Sequence, residues 1–180
     1  MINCDRKIIA IDGCSGSGKS TLAKFLQKHY NDCDKQCDII HMDHFFLPPN
    51  LRTEDRLKEI GGNIHYERFT KEVLSNLNTN RNFYYNKYDC SKMSICDKVE
   101  ISCDSQAIII EGVYSLHPIF IDYSNIKIFM CTDSESQSWR ILERNGPQIH
   151  KQFINNWIPM ENLYFSKMNI RSKCDFFLET

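Results

Sequence analysis

The 180-residue chain has no run of Lys or Arg, no apolar stretch long enough to cross a membrane, no Cys-x-x-Cys pair, no internal repeat and no low-complexity linker. Each absence removes a class of function. Charge is balanced at 22 basic against 23 acidic residues, so no nucleic-acid track or membrane-binding basic patch is expected and small molecules are the predicted partners. The N-terminal residues Met1 to Lys7 carry no apolar signal core, which predicts a cytoplasmic protein. The nine cysteines are odd in number and lack metal-ligand spacing, so neither a disulfide framework nor a zinc site is predicted. With 42% hydrophobic and 25% charged residues, the composition fits one globular domain spanning 1–180. It leaves the oligomeric state open.

What the chain does contain is the run Gly13-Cys14-Ser15-Gly16-Ser17-Gly18-Lys19-Ser20, which fills every fixed position of G-x-x-x-x-G-K-[ST]. A β-branched strand (7–11) precedes it, and a helix with apolar residues Leu22, Phe25 and Leu26 follows from Thr21. Strand, glycine turn and helix form the setting in which successive N–H groups and a helix N-terminus converge on a phosphate. Residues 13–21 are therefore predicted to bind ATP, with Lys19 facing solvent as a charge at the β/γ-phosphates and Ser20 offering its hydroxyl to Mg²⁺. Amide dipoles and Lys19 are expected to lower the pKa of Cys14.

Further strands are predicted at 37–41, 107–110, 126–130 and 175–178, with helices at 53–60, 66–77, 134–144 and 148–157. In open α/β sheets ligands gather beyond the carboxyl ends of strands. Asp43 and Glu111 follow two such ends: Asp43 suits a general base or a metal contact, and Glu111 suits the metal-associated carboxylate. Arg140 and Arg144, one helical turn apart, are predicted to form a lid over the γ-phosphate (134–158) that bends near Gly146-Pro147. Residues 81–103 read as a hairpin on the substrate side. Asn86-Lys87-Tyr88-Asp89 spells the guanine-recognition motif N-K-x-D, but no D-x-x-G lies between Ser20 and Asn86, so a GTPase is rejected. Glu161 to Ser166 resembles a protease tag without its Gln and is read as native protein.

Taken together, IDGCSGSGKST, MDHFFLPPNLRTEDRL, GGNIHYERF, KYDCSKM, IIIEGVYSLHP and WRILERNG with WIPMENLYF resemble the uridine kinase and phosphoribulokinase family of P-loop kinases. The resemblance implies a five-stranded parallel sheet flanked by helices, with a small β-hairpin and an arginine-bearing lid. It also implies Asp43 as catalytic base, Glu111 as metal-associated acid, Arg140 and Arg144 as lid arginines, and Arg52, Tyr88 and Asp89 in the acceptor region. His65 stands where uridine kinases carry a ribose-gripping Asp, so ribonucleosides are expected to be poor acceptors. The expected activity is ATP- and Mg²⁺-dependent phosphoryl transfer to a hydroxyl of a small metabolite, by analogy a nucleoside. Two alternatives stay open: a kinase of the dephospho-coenzyme-A or nucleotide type, whose phosphorylated acceptor would meet Arg52, Arg56 and Arg68, and a nucleotide-binding regulator without turnover.

Overall fold

Parallel strands covered on both faces read as near-continuous apolar runs, and this chain contains several. In the structure, a computed structural model describing residues 6–120 and 122–180, they become β1 (Lys7–Gly13), β2 (Cys37–His41), β5 (Ala107–Glu111) and β6 (Ile126–Cys131). With β7 (Phe176–Glu179) they build one parallel sheet in the order β2-β5-β1-β6-β7. The expected five-stranded α/β architecture is thus present. Residues 1–5, where the reading of the N-terminus and Cys4 fall, lie outside the described residues.

The sheet order positions the site. Because β5 lies between β1 and β2, Ile11 and His41 both pair in register with Glu111, and Gly13 follows on the neighbouring strand end. The two-residue period of a strand then sorts side chains between two cores. Ile9, Ile11, Ala107, Ile109 and Cys37 pack beneath α1 (Lys19–Asp32) with Leu22, Ala23 and Leu26. Ile8, Ile108, Ile110 and Ile40 face the other way, into an aromatic core of Phe45, Phe69, Phe120 and Tyr164. Phe25, expected in the buried stripe of α1, is 67% exposed, because the helix settles on its Leu22–Ala23–Leu26–Tyr30 side.

Thr53 caps the short α2 (Glu54–Lys58) by accepting a hydrogen bond from Arg56 N at 3.2 Å. The predicted helix 66–77 divides into α3 (Tyr66–Glu72) and a 3-10 turn (Leu74–Asn76), while Phe69, Val73 and Leu77 stay on the buried face. The hairpin is β3 (Phe83–Asp89) against β4 (Ser94–Ile101), antiparallel. A register shift between Lys87 and Tyr88 reverses the alternation and turns Tyr88 to the buried side shared by Phe83 and Tyr85.

The segment α4 (Ser134–Gln152) begins with Asp133 accepting from Glu135 N and Ser136 N. At Gly146 (φ 75°, ψ 170°) the chain leaves helical geometry. Ser138 Oγ lies 2.8 Å from His150 Nε2, twelve residues on, whereas a straight helix would separate them by about 18 Å. The segment therefore breaks near Gly146, where the sequence predicts a bend, and its two helical pieces fold back on one another. A π-turn at Phe153–Trp157 leads into α5 (Ile158–Lys167), a helix missing from the sequence reading. Among the described residues no helix is long and apolar enough to cross a membrane.

Candidate active site

The glycine loop closes over the end of β1 with Gly13, Gly16 and Gly18 at φ 134°, 78° and 89°, values that favour glycine. Cys14 N donates to Met130 O at 2.9 Å, drawing the loop against β6. Lys19, expected to face solvent, is only 8% exposed. Its ammonium curls back to donate to Gly13 O and Cys14 O, both at 2.8 Å, because those carbonyls are the nearest acceptors for its charge. This holds the cation beside the loop's N–H groups, where a phosphate oxygen competes for it. The buried hydroxyl of Ser17, inside the same loop, has no hydrogen-bond partner among the described residues. The residues present fit a triphosphate.

Next to the loop, Ser20 Oγ donates to Glu111 Oε1 at 3.0 Å, so the two residues proposed to hold the metal meet. The sequence reading overlooked His41, whose Nδ1 lies 2.5 Å from the same Glu111 oxygen. Burial opposes ionisation of Glu111, but the His41 hydrogen bond and charge, with Lys19 and Ser20, outweigh it and hold its pKa below the usual range. Among the described residues no cluster of three or more His, Cys, Asp and Glu side chains surrounds a metal position. A hydroxyl and one carboxylate suit Mg²⁺, which takes most of its ligands from water and phosphate oxygens.

Asp43 sits in a 3-10 turn (Met42–Phe45) just past β2. Its side chain is exposed, yet the surrounding protein desolvates its carboxyl and raises its pKa, with the Glu111 charge as second cause. Lys19, His41 and Arg144 act on it in the opposite sense. Candidate base, candidate metal acid, loop lysine and one lid arginine therefore share one electrostatic neighbourhood. Beside Asp43, His44 is pushed down to about 4, chiefly by burial, and meets Tyr85 OH at 3.0 Å as a neutral ring.

The lid arginines differ. Arg144 is exposed and bonded to its neighbour Asn145, whereas Arg140 Nη1 donates to Gly16 O at 3.1 Å and to Thr180 Oγ1 at 2.9 Å. Arg140 is thus committed to the outer turn of the loop. Two more side chains grip that turn: Gln137 Nε2 donates to Ser15 O at 2.9 Å, and Glu161 takes both Ser15 donors, Oγ at 2.5 Å and N at 2.9 Å. Beneath it, Asp12 is fully buried and accepts from Gly13 N, Tyr114 N, Leu116 N and the Tyr164 hydroxyl. The expected lowering of the Cys14 pKa is reversed: burial, then the Glu161 carboxylate, outweigh Lys19 and push the thiol up to about 11.

Among the residues expected to meet the acceptor, Arg52 donates from Nε to Leu47 O at 2.7 Å and from Nη2 to Tyr88 OH at 3.4 Å. Cys90, in the hairpin turn, lies within electrostatic reach of both Asp43 and Arg52. Asp89, expected to meet the acceptor, spends one carboxylate oxygen on Ser91 N, Ser91 Oγ and Lys92 N and shapes that turn. His65 serves as N-cap of α3, with Nδ1 3.4 Å from Arg68 N and 3.1 Å from Glu67 Oε2. Arg68 is buried and donates to His44 O and Asn86 O; Arg56 donates to Gly62 O, Ile64 O, Tyr66 OH and Glu67. Most of their donors are thus spent within the protein; Arg68 Nε is buried and without a hydrogen-bond partner among the described residues. Asn86 binds Glu72 through its side chain and its amide, in keeping with rejection of a guanine-binding role for N-K-x-D.

Comparison with known proteins agrees with this geometry. A possible uridine kinase from Bacillus stearothermophilus superposes with a TM-score of 0.76 at 21% identity, covering 99% of this chain and 91% of its own. For phosphoribulokinase from Rhodobacter spheroides the TM-score is 0.62 at 13% identity, covering 97% and 70%. D-glycerate 3-kinase from Cryptococcus neoformans gives 0.61 at 15%, covering 90% and 80%. No curated protein sequence matches the chain. These structural likenesses establish a shared fold, and the sequence profile of one family matches residues 8–147, from the first strand through the loop, both strand-end carboxylates and the arginine pair. The chain belongs to the Phosphoribulokinase / Uridine kinase family and is a P-loop kinase.

Proposed function

We propose that the protein transfers the γ-phosphoryl group of ATP to a hydroxyl of a small, unphosphorylated metabolite of nucleoside or sugar size. Kinases of this family in general use ATP with Mg²⁺. One observation carries the reading: Asp43, exposed just past β2, lies within electrostatic reach of Glu111, Lys19 and Arg144, and Cys90 of the hairpin turn is within reach of both Asp43 and Arg52. In this assignment Asp43 accepts the proton of the attacking hydroxyl. Its raised pKa brings its basicity closer to neutrality, which favours proton transfer as the O–P bond forms. Lys19 and the loop N–H groups of residues 13–21 hold the phosphates, and Arg144 neutralises charge on the transferred group. Ser20 and Glu111 would hold Mg²⁺, which supplies charge neutralisation at the β/γ-phosphates when bound. Catalysis is then mostly positioning and preorganised charge.

Engagement of Arg56 and Arg68 within the protein argues against a phosphorylated acceptor, because the only remaining arginine of the three is Arg52. An ADP-release screen of purified protein with MgATP tests the reading. The acceptors are nucleosides, sugars and hydroxy acids, each paired with its phosphorylated counterpart. Turnover is expected with an unphosphorylated alcohol. Turnover confined to phosphorylated acceptors would refute the acceptor assignment, and MgATP binding without turnover on any acceptor would favour a regulator.

A further inference from the structure

Both hydrogen-bond donors of Ser15 end on one carboxylate contributed by a different helix 146 residues further along the chain. We propose that Glu161 is a positioning residue that sets the outer turn of the phosphate-binding loop by holding Ser15, thereby fixing the nucleotide site to the helices of the lid segment. This rests on the loop's being the nucleotide site.

The loop has two halves with different supports. Its inner half is tied to the sheet by Cys14 N on Met130 O and Gly13 N on Asp12. The outer turn, Ser15 to Gly16, leaves the sheet, and side chains from α4 and α5 hold it: Gln137 on Ser15 O, Arg140 on Gly16 O and Glu161 on the Ser15 N–H and O–H. Only Glu161 accepts; the other two donate to carbonyls. By holding both Ser15 donors it fixes the turn's backbone in the conformation that leaves the other loop N–H groups directed at a phosphate. Glu161 is 5% exposed, and Tyr164 on the same face of α5 donates to Asp12 directly under the loop. Between these anchors the segment from Gly146 through the π-turn at Phe153–Trp157 departs from regular α-helix, and no hydrogen bond among the described residues ties it to the loop.

A glutamine at 161 has nearly the same shape and can keep both contacts with one reversed, its amide oxygen accepting from Ser15 N while its NH₂ donates to Ser15 Oγ. Alanine can keep neither. Calorimetric titration of the whole chain with MgADP, beside thermal melts, distinguishes positioning from simple packing. Glu161→Ala is expected to raise the MgADP Kd by about tenfold, the worth of a charge-assisted hydrogen bond, and Glu161→Gln by less than about threefold. Ser15→Ala, a change in an accessible loop that leaves the fold intact, is expected to weaken binding as well. It should add little on top of Glu161→Ala, because the two residues act through one contact.

An unchanged MgADP Kd in a folded Glu161→Ala or Ser15→Ala protein, with only the melting temperature lowered, would overturn the proposal. So would fully additive effects in the double variant. Should Glu161→Ala fail to fold, the Ser15→Ala measurement and its combination with Glu161→Gln decide alone: unchanged binding in Ser15→Ala refutes the idea. Failure of the wild-type chain to bind MgADP would refute the nucleotide site itself, a result distinguishable from equal binding by wild type and variants.

Discussion

Gly13→Ala tests the junction between the sheet and the phosphate-binding loop. At this position φ is 134°, and a Cβ would lie 1.9 Å from Met130 O and 2.7 Å from Met130 C, both backbone atoms of the paired strand. Neither a rotamer change nor a small side-chain shift relieves such a contact. The dihedral alone costs roughly 1–3 kcal/mol in a residue with a Cβ, and forcing β1 away from β6 adds about 1–3 kcal/mol of overpacking strain. A loss of about 4 kcal/mol corresponds to a drop of roughly 10 °C in melting temperature for a chain of this size. Gly16→Ala is the internal control. Gly16 also has positive φ (78°), but its added Cβ would meet Gln137 O at 3.4 Å and Ile141 Cγ1 at 3.5 Å, ordinary contact distances. Only the dihedral term applies there, about 1–2 kcal/mol and roughly 5 °C. Thermal melts of both variants, each with and without MgADP, measure the difference. Equal melting temperatures for the two, or full retention of MgADP stabilisation by Gly13→Ala, would refute the steric argument.

Three other outcomes are expected. Asp43→Asn should lower kcat by about 10² to 10⁴ while leaving the MgADP Kd near that of wild type, as removal of a general base does; steady-state rates beside calorimetry would expose a purely structural role as a loss of stability with kcat retained. The Cys14 thiol, pushed up to about 11, is mostly protonated at neutral pH, so its alkylation by iodoacetamide should keep accelerating up to pH 10, and peptide mass spectrometry showing a plateau at pH 8–9 would contradict this. His65→Asp should raise kcat/KM for uridine about tenfold, because a carboxylate accepts from two vicinal hydroxyls; aspartate is itself a good N-cap, so α3 should survive the change. Efficient uridine use by wild type, or no gain in the variant, would remove His65 as the determinant.

What was legible in the sequence was local or repeated. The loop motif occupies eight consecutive residues, and Asp43 and Glu111 follow apolar runs whose ends could be counted. Gly146-Pro147 marked a bend within α4, where Gly146 leaves helical geometry; that the two pieces fold back on one another was not legible. His41, Asp12 and Glu161 escaped because their roles arise from strand order and a distant helix. His41 pairs with Glu111 only because β5 lies between β1 and β2. Glu161 sits in the stretch 158–165, where one acidic residue three positions before Tyr164 on an otherwise apolar face was the available signal of a buried carboxylate with a partner. The error over Cys14 has the same source. Its local amides and Lys19 were visible in the sequence, but the burial and the Glu161 charge that outweigh them belong to the tertiary structure.

The strand period explains why the two carboxylates at the ends of β1 and β5 have different work. Glu111 shares its face with Ile109 and Ile11, toward α1, so its side chain meets Ser20 in that helix's first turn and lies within electrostatic reach of Lys19. Asp12, one residue after Ile11, points through the opposite face and is consumed by three amides and the Tyr164 hydroxyl. A carboxylate with that many committed donors, wholly buried, has no capacity left for a metal or a substrate proton. Advancing β1 by one residue would exchange the two faces and send Asp12 toward α1, beside Glu111. Pairing of Ile11 with Glu111 in the parallel ladder therefore fixes more than sheet geometry: it keeps the two strand carboxylates apart, one turned to Ser20 and His41 and the other locked as a backbone brace.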